Sequence, residues 1–155
     1  MQYDARHIAN WFVTRAQREG RSLSIMSLLK LTYIAHGWHL EMQGEPLFPN
    51  RIEAWKYGPV IPDVYNAFRQ QGVTVKHPVA APVVTMAPDD ESLLDQVWNI
   101  YGGLSAMRLS DMTHVAGGPW AVASQMGGNY ARIPDELIKQ HYSQMRVKAE
   151  NAAHG

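Results

Sequence analysis

The stretch Tyr33-Ile34-Ala35-His36-Gly37-Trp38-His39-Leu40, with Gly44-Glu45-Pro46-Leu47-Phe48 and Ile52-Glu53-Ala54-Trp55-Lys56-Tyr57-Gly58-Pro59-Val60-Ile61-Pro62-Asp63-Val64-Tyr65-Asn66-Ala67-Phe68 after it, decides the fold. Its first part completes a helix predicted from Ile25 to about Met42, capped by Ser22 or Ser24. That helix is apolar nearly all round (Ile25, Leu28, Leu31, Ile34, Trp38 and Leu40 lie on different sides), so it is expected at the centre of the molecule. Gly44 and Pro46 stop it. Arg51 to Tyr57 reads as a short strand, with Ile52 and Ala54 on one face and Glu53, Trp55 and Tyr57 on the other. Gly58-Pro59 is expected to break this strand. Pro62 then opens a third helix, where its missing N–H costs nothing.

Working outward, Asp4 is placed to cap a first helix reaching about Gln17, with Ile8, Trp11, Phe12 and Ala16 as its apolar stripe. Ile61, Val64, Tyr65 and Phe68 form the inner stripe of the third helix, which Gly72 terminates. Val73 to Met86 alternates β-branched residues with Pro78 and Pro82, which predicts an edge strand or extended hairpin. Pro88-Asp89-Asp90-Glu91 is a helix start with acids at the positive end of the dipole. Leu93, Leu94, Val97, Trp98 and Tyr101 follow at helical spacing. Ser105 caps the next helix, which Gly117-Gly118-Pro119 ends, and Pro119-Trp120 opens a short one closed by Gly127-Gly128. Leu137, Ile138, His141, Tyr142 and Met145 mark a last helix. The expected architecture is a mainly α (α+β) single domain over residues 1–147, with about six helices, a small strand or hairpin element and a polar tail at 148–155.

A chain of 155 residues forms about one domain and buries a core without covalent staples. It has no cysteine, which removes disulfides, thiolate metal sites and cysteine nucleophiles. Neither a signal peptide nor a membrane span is legible, so a cytoplasmic location is expected. Lysine plus arginine equals aspartate plus glutamate at 14 each, a balance that argues against nucleic acid as a partner. The charge is mildly segregated, with five basic and two acidic side chains in residues 1–30, and five acidic and one basic in 81–111.

Each obvious chemistry meets a physical objection. His36 and His39 lie three apart on one helix, where a third ligand such as His114 would make a metal site. The helix is apolar, however, and a zinc helix spaces its histidines four apart around a glutamate. Ser110, Asp111, Thr113 and His114 supply the types for nucleophilic catalysis, but neighbours on one helix point in divergent directions. A helix-turn-helix reading of the first two helices fails because the second is too apolar to read a groove. No catalytic residue, cofactor site or metal site is therefore assigned. Trp55 and Tyr57 are left as a patch that either packs under the chain's own helices or faces a partner, since tryptophan and tyrosine dominate interface hot spots.

Lys30-Leu31, Ala35 to His39, Gly44 to Phe48, Ile52 to Val60, Val64-Tyr65 and Phe68 together resemble the Panacea domain of the SocA-like antitoxin family, which includes the phage-associated GepA proteins. The resemblance resumes at Tyr101-Gly102, Leu104-Ser105-Ala106, Leu109-Ser110-Asp111, Thr113-His114 and Pro119-Trp120, and closes with Ile133 to Tyr142. It implies a non-enzymatic antitoxin of a toxin–antitoxin system, often phage or prophage encoded, that neutralises a cognate protein toxin by binding it. The resemblance also admits an adaptor role, binding a host protein or delivering the toxin to a Clp-type protease. It implies no catalytic residues, cofactor or membrane partner. The residues expected to meet the partner are Trp55, Tyr57, Pro59, His39, His114 and Trp120.

Overall fold

Asp4 sits in extended conformation and its carboxylate accepts from the Arg6 N–H, which starts α1 (Ala5–Arg18). After Gly20, a two-residue strand β1 (Leu23–Ser24) leads into α2 (Ile25–Gln43), where Ser24 accepts from the Ser27 N–H and Gly44 closes the helix in the left-handed region. Thirteen of the residues of α2 are buried, Ser27 to Gly37 without interruption. This is the physical outcome of an all-round apolar helix: α1, α3, α4, α5 and α7 all pack against it. The computed structural model describes residues 2–154 and places seven α-helices, where about six are expected, with two small antiparallel sheets.

The strand element is a hairpin. β2 (Glu53–Trp55) pairs with β3 (Gly58–Val60) in the register Glu53–Val60, Ala54–Pro59 and Trp55–Gly58. Gly58-Pro59 thus continues the sheet rather than breaking it. Gly58 has φ +121°, a conformation an L side chain rarely adopts, and this lets the chain reverse within two residues. Pro59 is tolerated because β3 is an edge strand. Val60 and Ile61 lead to α3 (Pro62–Phe68), with Pro62 in its first turn.

Of the edge strand or extended hairpin expected over residues 73–86, a short edge strand forms and the hairpin does not. Only β4 (Thr74–Val75) pairs, with β1. Beyond it Pro78 and Pro82 withhold ladder donors, and side-chain amides serve the strap instead. Gln71 Oε1 accepts from the Lys76 and His77 N–H groups, and Asn10 exchanges both of its amide bonds with Val79. α4 (Pro88–Tyr101) follows with Asp89, Asp90 and Glu91 in its first turn. α5 (Ala106–Thr113) ends at His114, before the glycine pair expected to stop it. α6 (Pro119–Gly127), β5 (Ala131–Arg132) and α7 (Asp135–His154) complete the chain. β5 adds to the free edge of β2, so the sheet order is β3-β2-β5.

α7 lies along α2 at Gly37. A Cβ there would stand 2.2 Å from Cε2 of Tyr142, whose buried ring packs against Tyr33 and Trp38. Alanine in a helix interior is ordinarily favoured over glycine by about 1 kcal/mol, but here the ring has nowhere to go. Gly37→Ala should therefore lower stability by about 1–3 kcal/mol in urea denaturation. The loss should largely vanish in a Tyr142→Leu background, because the two residues share one space.

Candidate partner-binding groove

The β2–β3 hairpin is held by its own carbonyls. Pro59 O accepts from Lys30 Nζ of α2 at 3.0 Å, Tyr57 O from the Ser110 hydroxyl of α5 at 2.5 Å, and Trp55 O from Trp120 Nε1 of α6 at 2.6 Å. Two further carbonyls, of Ala54 in β2 and of Ile52 just before it, meet the chain around β5: Ala54 O accepts from the Tyr130 N–H and Ile52 O from the Ile133 N–H, each at 2.8 Å.

Between this hairpin, the first turns of α2 and α3 runs an open groove of about 340 Å³. Ile25, Met26 and Leu29 form one wall, and Trp55, Tyr65 and Tyr130 the other. The Trp55 ring stands edge-on to Tyr65 at 5.1 Å and to Tyr130 at 5.4 Å, a geometry aromatic rings favour. Its indole N–H donates to Glu53 at 2.9 Å, which fixes the ring. Tyr57 and Tyr130 stand at the rim, 60% and 62% exposed. Tyr130 has φ +65°, the only positive φ at a non-glycine residue among those described. Such a backbone costs on the order of 1–3 kcal/mol, and it is held here by the Ala54 carbonyl and the Trp55 ring.

Lys30 lies under the groove, 1% exposed. Its stem passes beside Gly58, where a Cβ would come within 2.9 Å of Cε. Burial pushes its ammonium down to about 8 from the usual 10.5.

Of the residues picked from the sequence, Trp55, Tyr57, Pro59, His114 and Trp120 come together at the hairpin. Trp55 and Tyr57 face the groove, and Pro59 is buried with its carbonyl on Lys30. His114 and Trp120 pack ring against ring at 5.3 Å, with Trp120 bonded to the hairpin backbone. His39 is elsewhere: it is 3% exposed, its Nδ1 donates to Glu45 O at 2.6 Å, and its Nε2 meets Asp90 at 3.1 Å. His36 pairs instead with Asp135 at 2.8 Å and stacks on Phe48, so the two histidines turn to different carboxylates. Ser110 lies 3.4 Å from His114 Nδ1, but its hydroxyl proton is committed to Tyr57 O. Among the described residues no three histidine, aspartate or glutamate side chains group as a metal site. No helix there is long and apolar enough to cross a membrane. Lys30 and Tyr130 were missed by the sequence reading. A lone lysine inside an all-apolar helix was the available signal for Lys30, whereas nothing in Gly128-Asn129-Tyr130 marks a positive φ on the tyrosine.

Protonation of Lys30 is linked to folding. Burial favours the neutral amine, so the buried charge opposes folding below pH 8. As pH rises toward 10.5 the unfolded chain still holds this proton and the folded one does not, so stability rises. Lys30→Met should be more stable than the parent at pH 7 by about 1–3 kcal/mol, allowing for the lost bond to Pro59. That advantage should shrink steadily between pH 8 and 10.5 in denaturation series. An advantage that does not change with pH would show that charge is not its source.

The comparisons with known proteins agree with one another. The family model described as "Antitoxin SocA-like, Panacea domain" matches residues 28–121, which span α2, the hairpin and the start of α6. Antitoxin SocA of Caulobacter vibrioides is 33% identical over 159 residues, covering 93% of this chain and 85% of that protein. No solved structure matches the chain. By both the domain match and the chain-long similarity, this protein belongs to the SocA-like antitoxin family that carries the Panacea domain.

Proposed function

We propose that this protein is the antitoxin of a toxin–antitoxin pair, carried by a phage or prophage, and that it acts in the cytoplasm by binding its protein toxin directly. The observation that carries this reading is the 33% identity to an antitoxin across 93% of the chain. The hairpin groove supports binding as the mechanism. It offers exposed aromatic area on a rigid backbone, which is what interface hot spots are made of. The Ser110 hydroxyl and the Trp120 indole N–H, on the neighbouring helices, are spent on holding the hairpin rather than on a substrate.

The test begins with the reading frame beside this gene. Expressed alone it should arrest growth, and co-expression with this protein should restore growth and yield a complex that survives gel filtration. If the neighbour is harmless and no complex forms, the reading fails. A toxin that disappears from cells only when a Clp-type protease is present would instead assign the adaptor route. Tyr57→Ala should weaken the complex about tenfold or more, as hot-spot truncations do. Its melting temperature should hardly move, because the side chain is 60% exposed. Tyr130→Gly should relieve the strained backbone, leaving stability unchanged or higher, while weakening the same complex.

A further inference from the structure

The charge of the groove is one-sided. Its lining includes two cations, Lys30 and Lys56, and no carboxylate. Glu53, on the same hairpin, is already engaged by Arg51 at 2.8 Å and by the Trp55 indole at 2.9 Å. The Lys30 ammonium carries three donors, and among the described residues its one acceptor is Pro59 O. A buried ammonium is costly unless it is paired as well as hydrogen-bonded. Among the described residues no carboxylate supplies that pairing.

The shape of the groove narrows what group from outside can supply it. Its walls are apolar and aromatic, so the occupant carries apolar residues on either side of the charge. Its rim is built of tyrosines that stand 60% and 62% exposed, whereas Lys30 is 1% exposed. An anion reaching from rim to floor needs a flexible stem, which glutamate has and aspartate has less of. A basic segment would face two cations with no acid to receive it.

We propose that the groove receives a glutamate side chain of the protein partner, its carboxylate against Lys30 Nζ and its apolar neighbours against the Trp55, Tyr65 and Tyr130 rings. This names the chemistry of the bound segment and rests on the direct-binding reading above. Burial alone shifts the amine down to about 8, and a carboxylate seated beside it would make it hold its proton more firmly.

The experiment needs no toxin, so its failure is separable from that of the antitoxin reading. The full chain is immobilised and panned with a phage-displayed library of random dodecapeptides, in parallel with Lys30→Met and Tyr57→Ala. The expected result is a consensus with one glutamate between apolar residues on the parent protein, lost on both variants. Thermal melts establish that both variants are folded, and Lys30→Met should melt higher at pH 7. In the synthetic consensus peptide, Glu→Gln should weaken binding to the parent on the order of 30-fold, the usual scale for breaking a desolvated charge pair. Against Lys30→Met the same change should have little effect. The proposal is overturned by a consensus without glutamate, by no consensus at all, or by a Glu→Gln loss equal in both proteins. A consensus with aspartate or a free C-terminus in the glutamate's place overturns the choice of side chain. A toxin complex that is insensitive to Lys30→Met would leave the antitoxin standing and remove this inference alone.

Discussion

Three alternate carbonyls of one hairpin, those of Trp55, Tyr57 and Pro59, each accept a side-chain donor from a different helix. These bonds bridge 65, 53 and 29 residues of sequence. A net gain of about 0.5–1.5 kcal/mol per bond is modest, but a buried carbonyl left without a partner costs about 1–3 kcal/mol. The hairpin backbone therefore selects one arrangement of α2, α5 and α6 against all arrangements that abandon a carbonyl. Pairing of Ala54 with Ala131 ties β5 to the same strand, and α7 follows β5 within three residues. The long helix that covers α2 is thus aimed by the sheet, and Gly37 supplies the close approach that lets it settle.

Two local rules of good folding are broken in this molecule, and both breaches line one groove. Lys30 is a cation buried without a carboxylate, and Tyr130 is a tyrosine in left-handed backbone. Each carries a cost where it stands: burial opposes the Lys30 charge even as its bond to Pro59 O helps hold the hairpin, and glycine would suit the Tyr130 backbone better. Departures from local consistency tend to collect where function asks for them. Their coincidence on a surface already framed by Trp55, Tyr57 and Tyr65 is a stronger argument for the site than either is alone.

The central helix and its caps were legible because the physics is local. Ser24 and Gly44 terminate α2 through their own side chain and backbone, and the apolar run between them has only one place to go. The acids of α4 and Ser105 of α5 were readable for the same reason. What sequence could not supply were structures decided by partners far along the chain. Pro59 looked like a breaker because its role depends on β2 lying beside it and on Lys30 reaching its carbonyl. The strap after β4 read as a continued edge strand or a hairpin because its bonds go to Asn10 and Gln71, two amides that no periodicity connects to it. At the site, the aromatic pair Trp55 and Tyr57 could be picked by alternation. Their exposure depended on whether α5 and α6 reached around the hairpin or over it.

Helices that hold the hairpin by its backbone allow one scaffold to serve different surfaces. Lys30, Ser110 and Trp120 hold the hairpin through backbone carbonyls, and a backbone carbonyl is present whatever side chain the residue carries. The side chains of Lys56 and Tyr57 are exposed and carry no part of that scaffold. They can be exchanged for others without releasing the hairpin, so the shape of the groove and its chemistry are set by separate groups. Had the hairpin been fixed by side chain to side chain packing at the same positions, every change in what the groove presents would also have been a change in where it sits. A binding surface built this way can alter its partner while the fold beneath it is left alone.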